Sequence, residues 1–199
     1  MKKTLLTIIL SFLAFFSASA QLYRYLDTQQ GLSSRRVIAV EKDQKGYMWF
    51  LTQEGVDRYN GKQFNNYILS DGNRPVLHFP NLSQLHIDGQ GEIWVTGKNG
   101  FVFKYDPMQD KYNLVMNFAD SLKTKRRLPL THTTIDRQNN LWLCTRNAQY
   151  IYRTDTKQVT KLETPIKEEV FYIEQAKGNR YFFGTKENVY VALLKGNQL

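Results

Sequence analysis

Short apolar runs bounded by glycine, asparagine or aspartate follow one another along most of this 199-residue chain. Residues 37–41 are rich in β-branched positions and run into the turn Asp43-Gln-Lys-Gly46. Residues 47–51 are almost continuously apolar, the pattern of a strand covered on both faces. A turn at 53–55 leads to Val56–Tyr59, Asn60-Gly61 is a two-residue hairpin signal, and residues 63–69 supply an outer strand. The order returns at 84–87, 92–96, 101–105 and 112–116, and again at 131–135, 141–145, 149–153 and 158–162. Outside the first twenty residues the helical period is missing. The pattern predicts an all-β chain of repeated four-stranded antiparallel units.

The units are copies of one another. DQKGYMWFLTQEGVDRYNG (43–61), DGQGEIWVTGKNGFVFKYD (88–106) and DRQNNLWLCTRNAQYIYRTD (136–155) each set an Asp six residues before a Trp. The pairs are Asp43 and Trp49, Asp88 and Trp94, Asp136 and Trp142, with Gly46, Gly91 and Asn139 midway. A fourth copy, AKGNRYFFGTKENVYV (176–191), has Phe182 at the aromatic position, Asn179 at the turn and Ala176 for the Asp. The aromatic positions are 45, 48 and 40 residues apart, a period that suits four-stranded propeller blades. Blades are expected at about 37–69, 82–116, 130–162 and 170–199, after an entry strand and loop at 21–36. Together they make a partial β-propeller of about four blades. The Asp caps a tight turn by accepting backbone N–H groups, and the Gly takes the positive φ of that turn. The Trp brings a large apolar body for packing between sheets, with one N–H to satisfy. These duties are structural.

The amino terminus breaks the β pattern. Lys2 and Lys3 precede an apolar run at 5–16 and the small residues Ala18-Ser19-Ala20, the layout of a secretory leader cleaved after Ala20. The run is shorter than the roughly 20 residues of a bilayer-spanning helix. No later segment is apolar enough to return the chain to a membrane, so a periplasmic protein without a span after cleavage is expected. The 27 basic and 18 acidic residues leave a formal charge of +9. Such an excess points to nucleic acid or to an acidic surface. Export removes nucleic acid, which leaves an acidic glycan or a merely basic surface. Cys144 is the single cysteine, so no intrachain disulfide framework exists. Between the apolar neighbours of LWLCTR it reads as a buried small hydrophobe and not as a nucleophile.

Candidate chemistry is sparse. His86 and His132 lie two and four residues before Asp88 and Asp136, and His78 lies between the first two units. A metal would need further converging ligands, and the nearby Asp residues already serve as turn caps, so no metal or cofactor is expected. Asp88-Gly-Gln-Gly-Glu92 lacks the alternating oxygen ligands of a calcium loop. There is no nucleophile elbow, phosphate loop or supported carboxylate pair, so no catalytic activity is expected. The densest basic run is Lys123-Thr-Lys-Arg-Arg127. Its ordinary reading is a solvated loop. Lys123, Lys125, Arg126 and Arg127 are still the ligand-binding candidates, because such groups pair with the anionic oxygens of sulfated or uronic polysaccharide. Tyr67, Tyr112 and Tyr150 are candidates for stacking on sugars or for inter-blade packing; Arg35 and Arg36 are weaker candidates in the entry loop.

Gly31-Leu32-Ser33-Ser34 with Val37, then Asp43, Gly46-Tyr47-x-Trp49-x-x-Thr52 and Gly55-Val56-x-Arg58-Tyr59-x-Gly61, closely resembles the first repeat of the two-component regulator propeller family. The later copies look like further repeats, and the likeness covers about residues 22–193. The resemblance implies the periplasmic sensor region of a Bacteroidetes hybrid two-component system. Such a region is not itself catalytic; it detects a ligand, commonly an oligosaccharide, and signals through a transmembrane helix to a histidine kinase. It also implies more blades than four, with a homodimer of the full-length protein among the expected partners, so these residues read as an amino-terminal fragment. The family's Gly-Thr after the Trp is replaced by Leu51-Thr52, Thr96-Gly97 and Cys144-Thr145, which marks the motif as a packing code. Two alternatives stand beside this reading. One is an exported propeller lyase or glycosidase acting on polysaccharide, argued from fold alone; the other is a structural or interaction propeller.

Overall fold

The computed structural model describes residues 23–72, 74–77, 82–124 and 128–199. The leader with its cleavage after Ala20, His78, and Lys125, Arg126 and Arg127 lie outside these residues.

The chain forms successive antiparallel meanders. Blade 1 is β1 (Val37–Lys42), β2 (Met48–Thr52), β3 (Val56–Tyr59) and β4 (Phe64–Tyr67), paired in that order. A small hairpin, β5 (Leu69–Ser70) with β6 (Pro75–Leu77), leads to blade 2: β7 (Leu82–Ile87), β8 (Ile93–Gly97), β9 (Phe101–Asp106) and β10 (Lys111–Asn117). The outer strand expected over 63–69 therefore ends at Tyr67, and Leu69 leaves the blade for the hairpin. One helical turn, α1 (Phe118–Ser121), is capped by the Asn117 side chain and precedes blade 3. Blade 3 is β11 (Leu130–Ile135), β12 (Leu141–Thr145), β13 (Ala148–Arg153) and β14 (Gln158–Lys161). Blade 4 has three strands and not four: β15 (Tyr172–Gln175), β16 (Arg180–Gly184) and β17 (Val189–Leu193). After Leu193 the chain turns back, and Leu199 N–H donates to the Glu163 carbonyl.

The Asp and the Trp of each repeat meet. Asp43 Oδ1 accepts from the Lys45 and Tyr47 N–H groups, while Oδ2 accepts from Trp49 Nε1 at 2.9 Å. Asp88 and Asp136 do the same, with Trp94 and Trp142 at 3.0 Å. Gly46, Gly91 and Asn139 hold the left-handed conformation that closes these turns, at φ 89°, 79° and 62°. In blade 4 the left-handed residue is Gly178 (φ 67°) and not Asn179. With Ala176 in place of Asp no carboxylate organises that turn, and the Gln175 amide bonds the Gly178 carbonyl instead.

Each Trp faces the following sheet. Trp49, Leu51 and Val56 pack with Ile93, Val95 and Phe103. Trp94 and Val102 pack with Leu141, Leu143 and Tyr152. Trp142 and Ile151 pack with Tyr181 and Phe183. The entry loop is stitched to blade 1 by Asp57, whose Oδ2 accepts from the Ser33 N–H and hydroxyl at 2.8 and 2.7 Å. Asp57 is fully buried, which explains the Gly-Leu-Ser-Ser signature: Leu32 enters the core and Ser33 satisfies the carboxylate.

Candidate functional site: the groove between blades 1 and 2

Arg58 lies directly across the β2–β3 ladder from Trp49. Its guanidinium carbon is 5.2 Å from the Tyr47 ring centre, 5.6 Å from those of Trp49 and Tyr67, and 5.7 Å from that of Tyr105. Four rings within cation–π range make this the most aromatic-rich cation of the described residues. Arg58 Nη1 donates to the Tyr105 hydroxyl and lies 3.1 Å from Asp110 Oδ1. The Tyr67 and Tyr105 hydroxyls both donate to the same carboxylate oxygen. Asp110 sits in the β9–β10 turn at φ 48°, so a blade 2 turn is fastened to a blade 1 strand. Hydrogen bonds from Tyr105 and then Tyr67 hold the Asp110 carboxyl below its ordinary range. Burial, followed by the bond to Asp110, raises the Tyr67 phenol above its own.

Above this network lies a cavity of about 430 Å³, walled by Gln44, Lys45, Tyr47, Arg58, Gln90, Glu92 and Tyr105 among others. It opens at the end of the blades that carries the Asp-capped turns. An aromatic wall with amide, ammonium and guanidinium donors can hold a polyhydroxylated ligand by ring contact and by hydrogen bonds. The blade 2–blade 3 junction repeats the plan: Lys104 lies 5.2 Å from the Trp94 ring centre and pairs with Glu92, beside a cavity of about 650 Å³. At the blade 3–blade 4 junction Ile151 stands across from Trp142, and the cation is lost.

Of the ligand-binding and stacking candidates singled out from sequence, Tyr67 joins the network beneath the groove and the others do not gather here. Lys123 follows α1, near the β8–β9 turn to which that connection is bonded, at the other end of the blade from the groove. Tyr67 and Tyr112 are buried around Trp49, and Tyr150 packs edge-on to Phe118 at 5.0 Å, so all three serve inter-blade packing. Arg35 lies 3.9 Å from Asp27 across the entry turn. His86 and His132 share one cluster at the inner strands: His86 Nε2 is 3.1 Å from Thr133 Oγ1, and His132 Nδ1 is 3.2 Å from Gln84 Nε2. Desolvation lowers both imidazoles to about 4. Among the described residues no three His, Cys, Asp or Glu side chains come together as metal ligands. Cys144 is buried, its thiol pushed up to about 12 by desolvation. Sequence reasoning missed Asp110, a turn residue without any motif signal, and met Arg58 only as one letter of a repeat.

No protein-family model matches the chain, and no curated protein matches it in sequence. Among solved structures it is similar to the extracellular domain of the hybrid two-component system BT3049 from B. thetaiotaomicron, with TM-score 0.68 and 19% identity over 88% of this chain. The extracellular domain of the one-component system BT4673 from the same organism gives 0.69 and 15% over 89%. PorZ, a surface component of the type-IX secretion system of Porphyromonas gingivalis, gives 0.65 and 16% over 87%. In fold, the chain is like the extracellular domains of two-component systems. It spans 25%, 23% and 23% of the length of these three structures. The all-β propeller architecture anticipated from the Asp–Trp repeat is the observed one, as an open arc of four blades.

Proposed function

We propose that the chain is an extracytoplasmic ligand-sensing propeller module of a two-component system. It takes an oligosaccharide in the groove between blades 1 and 2 and passes the state of that junction to a histidine kinase outside these 199 residues. The observation that carries the reading is the fold shared with extracellular two-component domains across nearly nine-tenths of the chain. The groove supports it, because Arg58 and Asp110 tie the two blades together directly beneath the cavity. A ligand touching Arg58 therefore changes how firmly one blade holds the next. Export after cleavage at Ala20 belongs to the same reading.

Calorimetry of residues 21–199 against neutral and acidic oligosaccharides tests it. Saturable heat is expected from one class, and it should be lost in Arg58→Ala. Silence across the panel would sink the sensing role. Product release in the same tube would replace it with an enzyme.

A further inference from the structure

The β9–β10 and β13–β14 turns are built alike. Each is closed by a strand pair, Asp106 with Lys111 and Arg153 with Gln158, around residues 107–110 and 154–157. The last residue of each turn is left-handed: Asp110 at φ 48° and Lys157 at φ 57°. The tyrosine just before the closing pair also recurs, Tyr105 in blade 2 and Tyr152 in blade 3. Arg58 stands across from Trp49 as Lys104 stands across from Trp94. Both junctions therefore combine a cation over the Trp, a tyrosine of the following blade and a left-handed turn residue. In the third of these the charge is reversed.

That reversal changes what is satisfied. In the first groove Asp110 accepts from the Tyr67 and Tyr105 hydroxyls and pairs with Arg58. In the second, the Tyr152 hydroxyl has no hydrogen-bond partner and Lys157 no ion pair among the described residues. Both line the cavity of about 650 Å³ together with Lys104. Asn139 lies in the same wall, and its Oδ1 takes the Gly89 N–H at 3.1 Å, which leaves its NH2 group as a further donor. Three acids border the cavity, each with a partner. Asp88 accepts from its own turn and Trp94, Asp155 accepts the Thr156 N–H, and Glu92 pairs with Lys104.

We propose that the groove between blades 2 and 3 binds the anionic group of an acidic sugar, a carboxylate or a sulfate. That group takes the place that the Asp110 carboxylate holds in the first groove. Lys157 and Lys104 supply the charge, and the Tyr152 hydroxyl donates to the anionic oxygens. Lys104 is shared between Glu92 and the ligand. The two cavities have Gln90 and Glu92 as a common wall, so an oligosaccharide held against Arg58 has only the β7–β8 turn to cross. The inference takes from the proposed function that the ligand is a sugar; the anion site itself stands on the comparison of the two turns.

Calorimetry of residues 21–199, which contain every described element, tests it at low salt. The probes are trigalacturonate and a sulfated galactose oligosaccharide, each against its neutral form, the methyl ester and the desulfated sugar. At least one charged probe should bind about tenfold or more tighter than its neutral form, a preference that falls as salt rises. The charged probe that shows it assigns carboxylate or sulfate. Lys157→Asp rebuilds the first groove's carboxylate in the second and should abolish the preference. Lys157→Asn, which also tolerates the left-handed turn, should reduce it. Glu92→Gln releases Lys104 and should strengthen it. Equal affinity for charged and neutral forms overturns the proposal, as does a preference that survives Lys157→Asp. Arg58→Ala keeps the two grooves apart. A Lys157-dependent preference that persists in it upholds this site even where the first groove takes no sugar. Binding of neutral sugars with no charge preference upholds the first groove alone and overturns this one.

Discussion

Tyr181 of blade 4 donates its hydroxyl to Asp136 of blade 3 at 3.0 Å, on the same carboxylate oxygen that takes the Trp142 indole N–H. One turn-capping Asp therefore also locks two blades together. Both donors are buried, so removing the acceptor strands them.

Asp136→Ala should then destabilise the protein by about 3–5 kcal/mol, since two buried donors and the turn amides of Gln138 and Asn140 lose their acceptor. Asp43→Ala should cost less, because among the described residues Asp43 serves its own turn and Trp49 and no second blade. Urea unfolding of the two variants gives the ranking; equal losses would mean that the cross-blade bond contributes nothing.

The repeat was legible because each blade solves one packing problem with one set of residues, so a Trp six positions after an Asp recurs. The spacing did not say that the two side chains bond each other, since a capped turn and a packed indole each explain their residue separately. The fourth blade was harder. Phe182 holds the aromatic register, but without an Asp its turn is rebuilt on Gly178. The groove was illegible for a different reason: Asp110 and Arg58 are 52 positions apart in the sequence and meet only through blade stacking. Basic runs such as the one beginning at Lys123 drew attention by composition alone.

Gly55→Ala should be among the most damaging conservative changes in blade 1. A Cβ there would stand 2.3 Å from the Tyr67 carbonyl oxygen, and the backbone is held at φ 153°. Gly61→Ala, also at positive φ (92°) but with nothing within 4 Å, meets only conformational strain of about 1–2 kcal/mol. Thermal unfolding should place Gly55→Ala well below Gly61→Ala.

Stability should fall in mild acid through the histidine pair. His86 and His132 titrate at about 4 in the folded protein, because burial disfavours the charged ring. Unfolded, they titrate near the ordinary value of about 6.5. Between those values the unfolded chain binds more protons, so their contribution is complete above about 6.5 and is lost as pH falls through 4. Each accounts for roughly 3 kcal/mol. Unfolding free energy measured across this window should slope downward with acid, and a His86→Gln, His132→Gln variant should flatten the slope.

Cys144 offers a clock for opening of the blade 3–blade 4 junction. Its side chain is fully buried beside Trp142 and Phe183, and its thiol stays protonated far above neutral pH. Labelling by a thiol reagent at pH 7.5 should therefore follow the rate of unfolding and not the reagent's concentration. Fast stoichiometric labelling of the native protein would show that the junction opens on its own.

Arg58 separates a binding duty from a packing duty. Arg58→Ala removes the cation from four rings and leaves Asp110 with only its two tyrosine donors, a loss of about 1–3 kcal/mol in a half-buried setting. Arg58→Lys keeps the charge but not the planar group that lies among the rings while reaching Asp110. Asp110→Asn keeps the groove's own side chains in place while loosening the tie between the blades. If Arg58 touches the ligand and Asp110 only fastens the blades, Asp110→Asn should lower the melting temperature of the free protein yet retain binding heat and, with it, the ligand-dependent rise in melting temperature. Arg58→Ala should lose both. Identical behaviour of the two variants would make Arg58 a packing residue alone.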